Sequence, residues 1–381
     1  MHALSISRRK LFRLSLTRAS STRWNTRSRR VPTRRLRAIL RIMTESRAMI
    51  LGAAGHALSA EEKAFFSGER PWGFILFARN VSEAGQIKDL VAAMRDCVGN
   101  PVAPVFIDQE GGRVQRLRPP LADNYPPAAA IGDVYRRDRE AGMRAAWLMS
   151  RLHAADLTGL GINADCLPVL DVPVEGAHDV IGDRAYGKDP ETVAALGRAA
   201  SEGLLAGGVL PVIKHIPGHG RAMADSHLAL PRVDASHAEL TAHDFAPFRA
   251  LADMPMAMTA HVVYSAIDAE QPATTSPRVI GDIIRDEISF DGLLMSDDLS
   301  MKALSGDFAE RCRASLAAGC DVVLHCNGVM DEMRAVAAEA VALTGKAAQR
   351  ASGALARLSG NDGAQISLLR NEFRSLFEAA A

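Results

Sequence analysis

A single (β/α)8 TIM-type barrel with a helical C-terminal tail is the fold this sequence predicts, on three observations. Eight apolar runs of strand length recur from residue 48 onward, most of them separated by segments of helical pattern. Such alternation indicates parallel strands joined by crossover helices. No glycine-rich nucleotide fingerprint follows the first run, which argues against an open doubly wound sheet. Finally, Asn80, Asp108, Asp171, Lys214, His215, His261, Asp297 and His325 all stand where an apolar run ends. A barrel would gather those ends at one mouth, where active sites of this fold lie.

Taken in order, Ala48–Ala53 reads as the first strand and Glu61–Phe66 as a short helix. Gly73–Phe77 is the second run, and Ser82 is expected to cap a helix reaching about Cys97. Pro104–Ile107 is the third, ending at Asp108-Gln109-Glu110-Gly111-Gly112. A long helix over Glu140–Thr158 leads to Ile162–Leu170, which ends at Asp171. After a loop containing Ile181-Gly182-Asp183-Arg184, a helix runs from about Pro190 to Ala206, followed by the strand Val209–Lys214. Met256–Ala260 ends at His261, and Gly292–Met295 ends at Ser296-Asp297-Asp298. Ser300 to about Ala318 reads as helix, and Asp321–Leu324 ends at His325. From about Met330 the tail looks helical, with no repeat, linker or second catalytic domain in it.

The composition, 48% hydrophobic and 23% charged over 381 residues, is that of an ordinary globular protein. Apolar runs such as Gly203–Ile213 stop short of a membrane span. The five cysteines (Cys97, Cys166, Cys312, Cys320, Cys326) are odd in number and lack metal spacing. They read as buried small hydrophobes in a reducing compartment. Charge is uneven: residues 1–41 hold twelve Arg and Lys10 with no acid, so that stretch carries +13 and the remainder −12 within a net +1. Ser7-Arg8-Arg9-Lys10-Leu11-Phe12 has a trace of a twin-arginine signal, but Arg13, Arg18 and Arg23 break the apolar stretch a signal needs. Residues 1–42 are read as a basic, disordered or untranslated extension, and 43–381 as one catalytic domain with Met43 as the working start. An acidic body gives no support to nucleic-acid binding.

The densest chemistry lies in Val209–His227. Six of the eleven histidines fall between His215 and His261. The strand ends in Lys214 and His215, and Pro217, Gly218 and Gly220 then force a loop carrying His219, Asp225 and His227. Metal binding through His215, His219, Asp225 and His227 is one reading, but Pro217 and Gly218 oppose the helix that a His pair four apart would need. Proton transfer is the favoured one. Asp225 and His227 are two apart, so in an extended loop they project to one side, where a carboxylate can fix an imidazole for acid/base work.

Lys214-His-Ile-Pro-Gly-His-Gly220 followed by Asp225-Ser-His227 resembles the signature of family 3 glycoside hydrolases of the bacterial β-N-acetylglucosaminidase type. Ile107-Asp-Gln-Glu-Gly-Gly-Arg-Val-Gln-Arg116 and Ser296-Asp-Asp-Leu-Ser-Met301 are similar to that family's other two motifs. The likeness covers about Met43 to Gly328; Ile216 stands where an aromatic is usual, and the basic extension is not accounted for. The resemblance implies a retaining mechanism with Asp297 as nucleophile and His227 as general acid/base oriented by Asp225. This departs from the carboxylate pair of most retaining glycosidases. It further implies that Asp108, Arg116, Arg184, Lys214 and His215 hold the sugar. For Arg116 and Arg184 surface charge or a loop-fixing ion pair competes with that role. Adjacent residues of a strand face opposite ways, so only one of Asp297 and Asp298 is expected at the mouth.

The activity so implied is exo-hydrolysis of terminal β-linked N-acetylglucosamine from peptidoglycan fragments (N-acetylglucosamine on an anhydro-muramyl peptide). The setting would be the cytoplasm, with no cofactor, metal, nucleic acid or membrane involved. Another β-glycosidase, or a glycoside phosphorylase, would use much the same barrel. Outside that class stand a metal-dependent amidohydrolase-like barrel using His215, His219, His261 and Asp297, and a non-enzymatic sugar or nucleic-acid binder.

Overall fold

In a computed structural model, which describes residues 46–223, 226, 230–358, 360 and 362–378, eight parallel strands close into a barrel. They are β1 (Arg47–Gly52), β2 (Pro71–Leu76), β3 (Val105–Ile107), β4 (Ala164–Asp165), β5 (Leu210–Ile216), β6 (Met256–Thr259), β7 (Leu293–Asp298) and β8 (Val322–His325). Each pairs with the next in sequence, and β8 closes on β1. The predicted (β/α)8 barrel is therefore present, with every expected strand in it. The basic extension, and Asp225 and His227 of the loop after β5, lie outside the described residues.

Alternation along the strands divides the core in two. Ala48 and Ile50, Leu210 and Val212, Met256 and Met258, Leu293 and Met295, and Val322 and Leu324 point into the barrel. Their neighbours, such as Met49, Leu51, Ile213 and Ala257, face the surrounding helices. Period two is what a pleated strand imposes.

The helices begin where the side chains tell them to. Ser59 with Glu62, and Asp307 with Glu310, form capping boxes, while Asp189 caps Pro190–Ala206 and has proline at the first turn. Three expectations are revised and one helix is added. Ser82 is not a cap: Glu83 holds that position, and the Ser82 amide and hydroxyl both bond to Gln86 Oε1. A separate helix, Ala128–Arg137, precedes Arg139–Thr158, because Asp138 ends the first and caps the second. The run Ile162–Leu170 forms a regular strand only at Ala164–Asp165, with Val169 bridging Lys214 as an isolated pair beyond Pro168, which has no amide hydrogen. The helix expected from Ser300 starts at Phe308, since Asp298 ties residue 300 into a turn.

The tail completes the barrel. The Ala48 amide donates to Val341 and the Leu343 amide to Ser46. Leu343, Ala351, Ala354 and Leu355 join the interior apolar cluster, so helix Gly345–Ala356 stoppers the end opposite the mouth. Helix Ile366–Glu378 lies on Arg139–Thr158, where Arg144 forks onto Glu372. Among the described residues no helix is long and apolar enough to cross a membrane.

Candidate active site

The inward stripes of the strands continue past their apolar residues and so deliver the polar ones. Two beyond Phe106 is Asp108, two beyond Val212 is Lys214, two beyond Met295 is Asp297, and two beyond Leu324 is Cys326. All four line one cavity at the C-terminal end of the barrel. Ile75, Met258 and Leu324, the highest interior apolar residues, close it from below.

Irregularities at two strand ends add a second residue each. The β5–β6 ladder shifts register between Lys214 and Ile216, and the β7–β8 ladder between Met295 and Asp298. Such bulges re-aim side chains. Both Lys214 and His215, and both Asp297 and Asp298, therefore line the cavity. The expectation that only one of the two aspartates faces the mouth is thus corrected. Their hydrogen bonding nevertheless separates them. Asp298 Oδ1 accepts from the Ser300 and Cys326 amides at 3.0 and 3.1 Å, and its Oδ2 from the Ser300 hydroxyl. Asp297 Oδ1 accepts the Asp298 amide at 2.8 Å, and the Asp297 amide donates to Thr259 Oγ1 at 3.3 Å.

One wall is a network of charges. Lys214 Nζ lies 2.9 Å from Asp108 Oδ1 and 2.6 Å from Glu110 Oε1. Arg116 bonds Asp108 Oδ2 at 2.9 Å, and Arg184 forks onto Glu110 at 2.8 and 2.9 Å. Burial pushes the two carboxyls up, but Lys214 with Arg116 on Asp108, and Arg184 with Lys214 on Glu110, outweigh it and hold both below their ordinary range. Burial works against the Lys214 ammonium too, yet Asp108 and Glu110 raise it overall. The wall thus sets cations against carboxylates, with donors and acceptors fixed side by side. Arg116 and Arg184 are both ion-paired and cavity-lining, so their two competing readings coexist. Glu110 was not among the residues expected; being two from Asp108 in extended chain, it carried that signal.

Behind the cavity, Asp171 organises the loop after β5. Its Oδ2 lies 2.6 Å from His215 Nδ1, and its Oδ1 accepts the His215 and His219 amides at 3.2 and 2.6 Å. Burial raises the Asp171 carboxyl, but His215 and His219 reverse this and lower it to about 2. Burial lowers the His219 imidazole to about 4. That imidazole reaches Ser226 Oγ at 3.2 Å, while the Ser226 carbonyl accepts from the Ala303 amide at 3.2 Å. Ser226 stands between Asp225 and His227 in sequence.

The remaining strand-end residues are structural. His261 contacts Thr274 Oγ1 at 2.7 Å and the Asp298 carbonyl at 3.0 Å; Asn80 ties the loops after β1 and β2; His325 pairs with Glu332. Among the described residues no three His, Cys, Asp or Glu side chains converge as a metal would require.

Residues 43–358 match the family described as "Glycosyl hydrolase family 3 N terminal domain". A β-hexosaminidase of Methylococcus capsulatus is 43% identical over 277 residues, 72% of this chain and 80% of that protein. One from Chromobacterium violaceum is 40% identical over 283 residues, 73% and 78% of the two chains. Among solved structures, NagZ from Neisseria gonorrhoeae in complex with N-trifluoroacetyl-D-glucosamine is 32% identical with a TM-score of 0.78, covering 88% of this chain and 98% of that one. A family 3 β-N-acetylglucosaminidase from Paenibacillus is 28% identical, also at 0.78, covering 89% and 68%. With the barrel closed and Asp108, Arg116, Lys214, His215 and Asp297 of the three motifs lining one mouth, the chain belongs to glycosyl hydrolase family 3, is a glycoside hydrolase, and groups with that family's β-hexosaminidases.

Proposed function

We propose that this hydrolase removes terminal β-linked N-acetylglucosamine from peptidoglycan fragments, N-acetylglucosamine on an anhydro-muramyl peptide, in the cytoplasm and with retention at the anomeric carbon. The observation that carries the reading is the charged wall of Asp108, Glu110, Lys214, Arg116 and Arg184 lining the same floored cavity as Asp297. A cavity closed from below suits a chain end rather than an internal unit. Its fixed carboxylates accept from sugar hydroxyls, and its cations, with His215, donate to hydroxyl and acetamido oxygens. The N-acyl-glucosamine bound by the gonococcal relative supports the choice of sugar. The catalytic body is taken as residues 43–381, with 1–42 playing no part.

In this reading Asp297 attacks the anomeric carbon, with its carboxylate oriented by the Asp298 amide. His227 gives its proton to the departing oxygen, the glycosyl ester forms on Asp297, and His227 then takes a proton from the water that cleaves it. An imidazole with a pKa near 6.5 is suited to both transfers at neutral pH. Asp225 sets its tautomer.

The test is the dependence on leaving group. His227→Ala should cost about 10²–10⁴-fold more on alkyl than on acidic aryl β-N-acetylglucosaminides, since only the former need the proton. Asp225→Ala should follow the same pattern, and a slow fluorinated substrate should label Asp297. Equal losses on both substrate classes, or an adduct on Asp298, would remove these assignments. Added phosphate that accelerates turnover and yields a sugar phosphate would make the reaction a phosphorolysis.

A further inference from the structure

Asp165 takes no part in the mechanism above, yet it is wholly buried beside the charged wall. Its strand neighbours Ala164 and Cys166 point into the barrel, so Asp165 faces outward, toward helix Arg139–Thr158. A carboxyl in that apolar layer carries a desolvation cost that a valine would not. One of its oxygens has a clear use: Oδ1 accepts the Gln109 amide at 3.0 Å. Gln109 lies between Asp108 and Glu110, the two carboxylates that share Lys214. The other oxygen, Oδ2, has no hydrogen-bond partner among the described residues, and neither nitrogen of His153 has one. His153 Nδ1 stands 4.0 Å away, too far for a direct bond.

We propose that Asp165 is a positioning residue for the sugar-gripping arm: by holding the Gln109 amide it sets the spacing at which Asp108 and Glu110 divide Lys214 between them. The inference rests on the reading that this arm holds the sugar. Gln109 fixes the rest of the arm in turn, since its Oε1 accepts the Arg116 and Leu117 amides at 3.1 and 3.0 Å and its Nε2 donates to the Leu117 carbonyl at 3.0 Å. The backbone bond therefore governs Asp108, Glu110 and Arg116 together. Burial drives the Asp165 carboxyl well up against the opposing pull of the Gln109 amide and Lys214, and the nearby Asp108 and Glu110 add to the rise.

Asp165→Asn preserves the acceptor oxygen and the shape, whereas Asp165→Val preserves shape alone. On an aryl β-N-acetylglucosaminide, Asp165→Val should raise KM about tenfold with kcat within about twofold, the loss of one buried hydrogen bond. Amide exchange in the peptide spanning residues 107–117 should quicken in the same variant. Asp165→Asn should match the wild type in both. Should the valine variant not fold, Asp165→Ala replaces it. Wild-type KM and exchange in the variant without an acceptor would overturn the proposal, as would an asparagine variant as impaired as valine. Wild-type protein that fails to cleave the substrate refutes the sugar reading instead; exchange across 107–117 then decides the positioning role alone, unchanged exchange ending it.

Discussion

Lys214 shows how far one residue's environment departs from its sequence neighbourhood. It follows an apolar run and is 2% exposed, yet it is charged because two carboxylates lie within hydrogen-bonding distance. Removing one partner of a buried ionic cluster leaves the others uncompensated. Lys214→Met should accordingly cost about 3–5 kcal/mol of stability, read from chemical unfolding, and weaken sugar binding. Adding Glu110→Gln removes one of the stranded charges and should return part of that loss, so the two substitutions should be non-additive. Additive losses would mean that Lys214 and Glu110 act independently. Asp297 and Asp298 make the same point. Both reach the cavity, but the bonds to Ser300 and Cys326 occupy both oxygens of Asp298, while Asp297 Oδ1 accepts the Asp298 amide and Asp297 stands where the interior stripe of β7 emerges.

At the scale of elements, the mouth depends on loops gripping one another. The hairpin after β3 and the loop after β4 are joined by the Arg184–Glu110 fork and by Arg113. Arg113 bonds Asp183 at 2.9 Å and the carbonyls of Asp179, Val180 and Ile181 at 2.9, 2.9 and 3.2 Å. It thus holds the segment that brings Val180, Ile181 and Arg184 to the cavity. Arg113→Ala should raise KM about tenfold with little change in kcat, because one to two hydrogen bonds' worth of loop placement is lost. Arg113→Lys should restore little, since an ammonium lacks the planar fork that spans several carbonyls. Steady-state kinetics of the two variants test this, and a full rescue by lysine would show that charge alone matters.

At the scale of the whole molecule, the tail is a structural part of the barrel. Leu343, Ala351, Ala354 and Leu355 cover interior residues that would otherwise meet water at the end away from the mouth. Deleting residues from 345 onward should therefore abolish cooperative unfolding or cause aggregation, since a barrel interior left open exposes a large apolar patch. A truncated protein with an unchanged melting temperature would contradict this. Truncating instead to begin at Met43 should leave melting temperature and turnover unchanged.

Strand periodicity was enough to place all eight barrel strands, because one face of each must be apolar, and enough to put Asp108, Lys214 and Asp297 at a common mouth. Strand ends also offered His215, family likeness added Arg116 and Arg184, and the structure brought all of these to one cavity. Where periodicity ran out, tertiary structure decided. The bulges that turn His215 and Asp298 toward the cavity depend on pairing with neighbouring strands, which no single run of sequence records. Likewise the Glu110–Lys214 contact, the use of Asp165 and the stoppering helix join residues far apart in the chain. Burial and partners are properties of the assembled barrel, so the chemistry they impose on a carboxyl or an imidazole could be read only there.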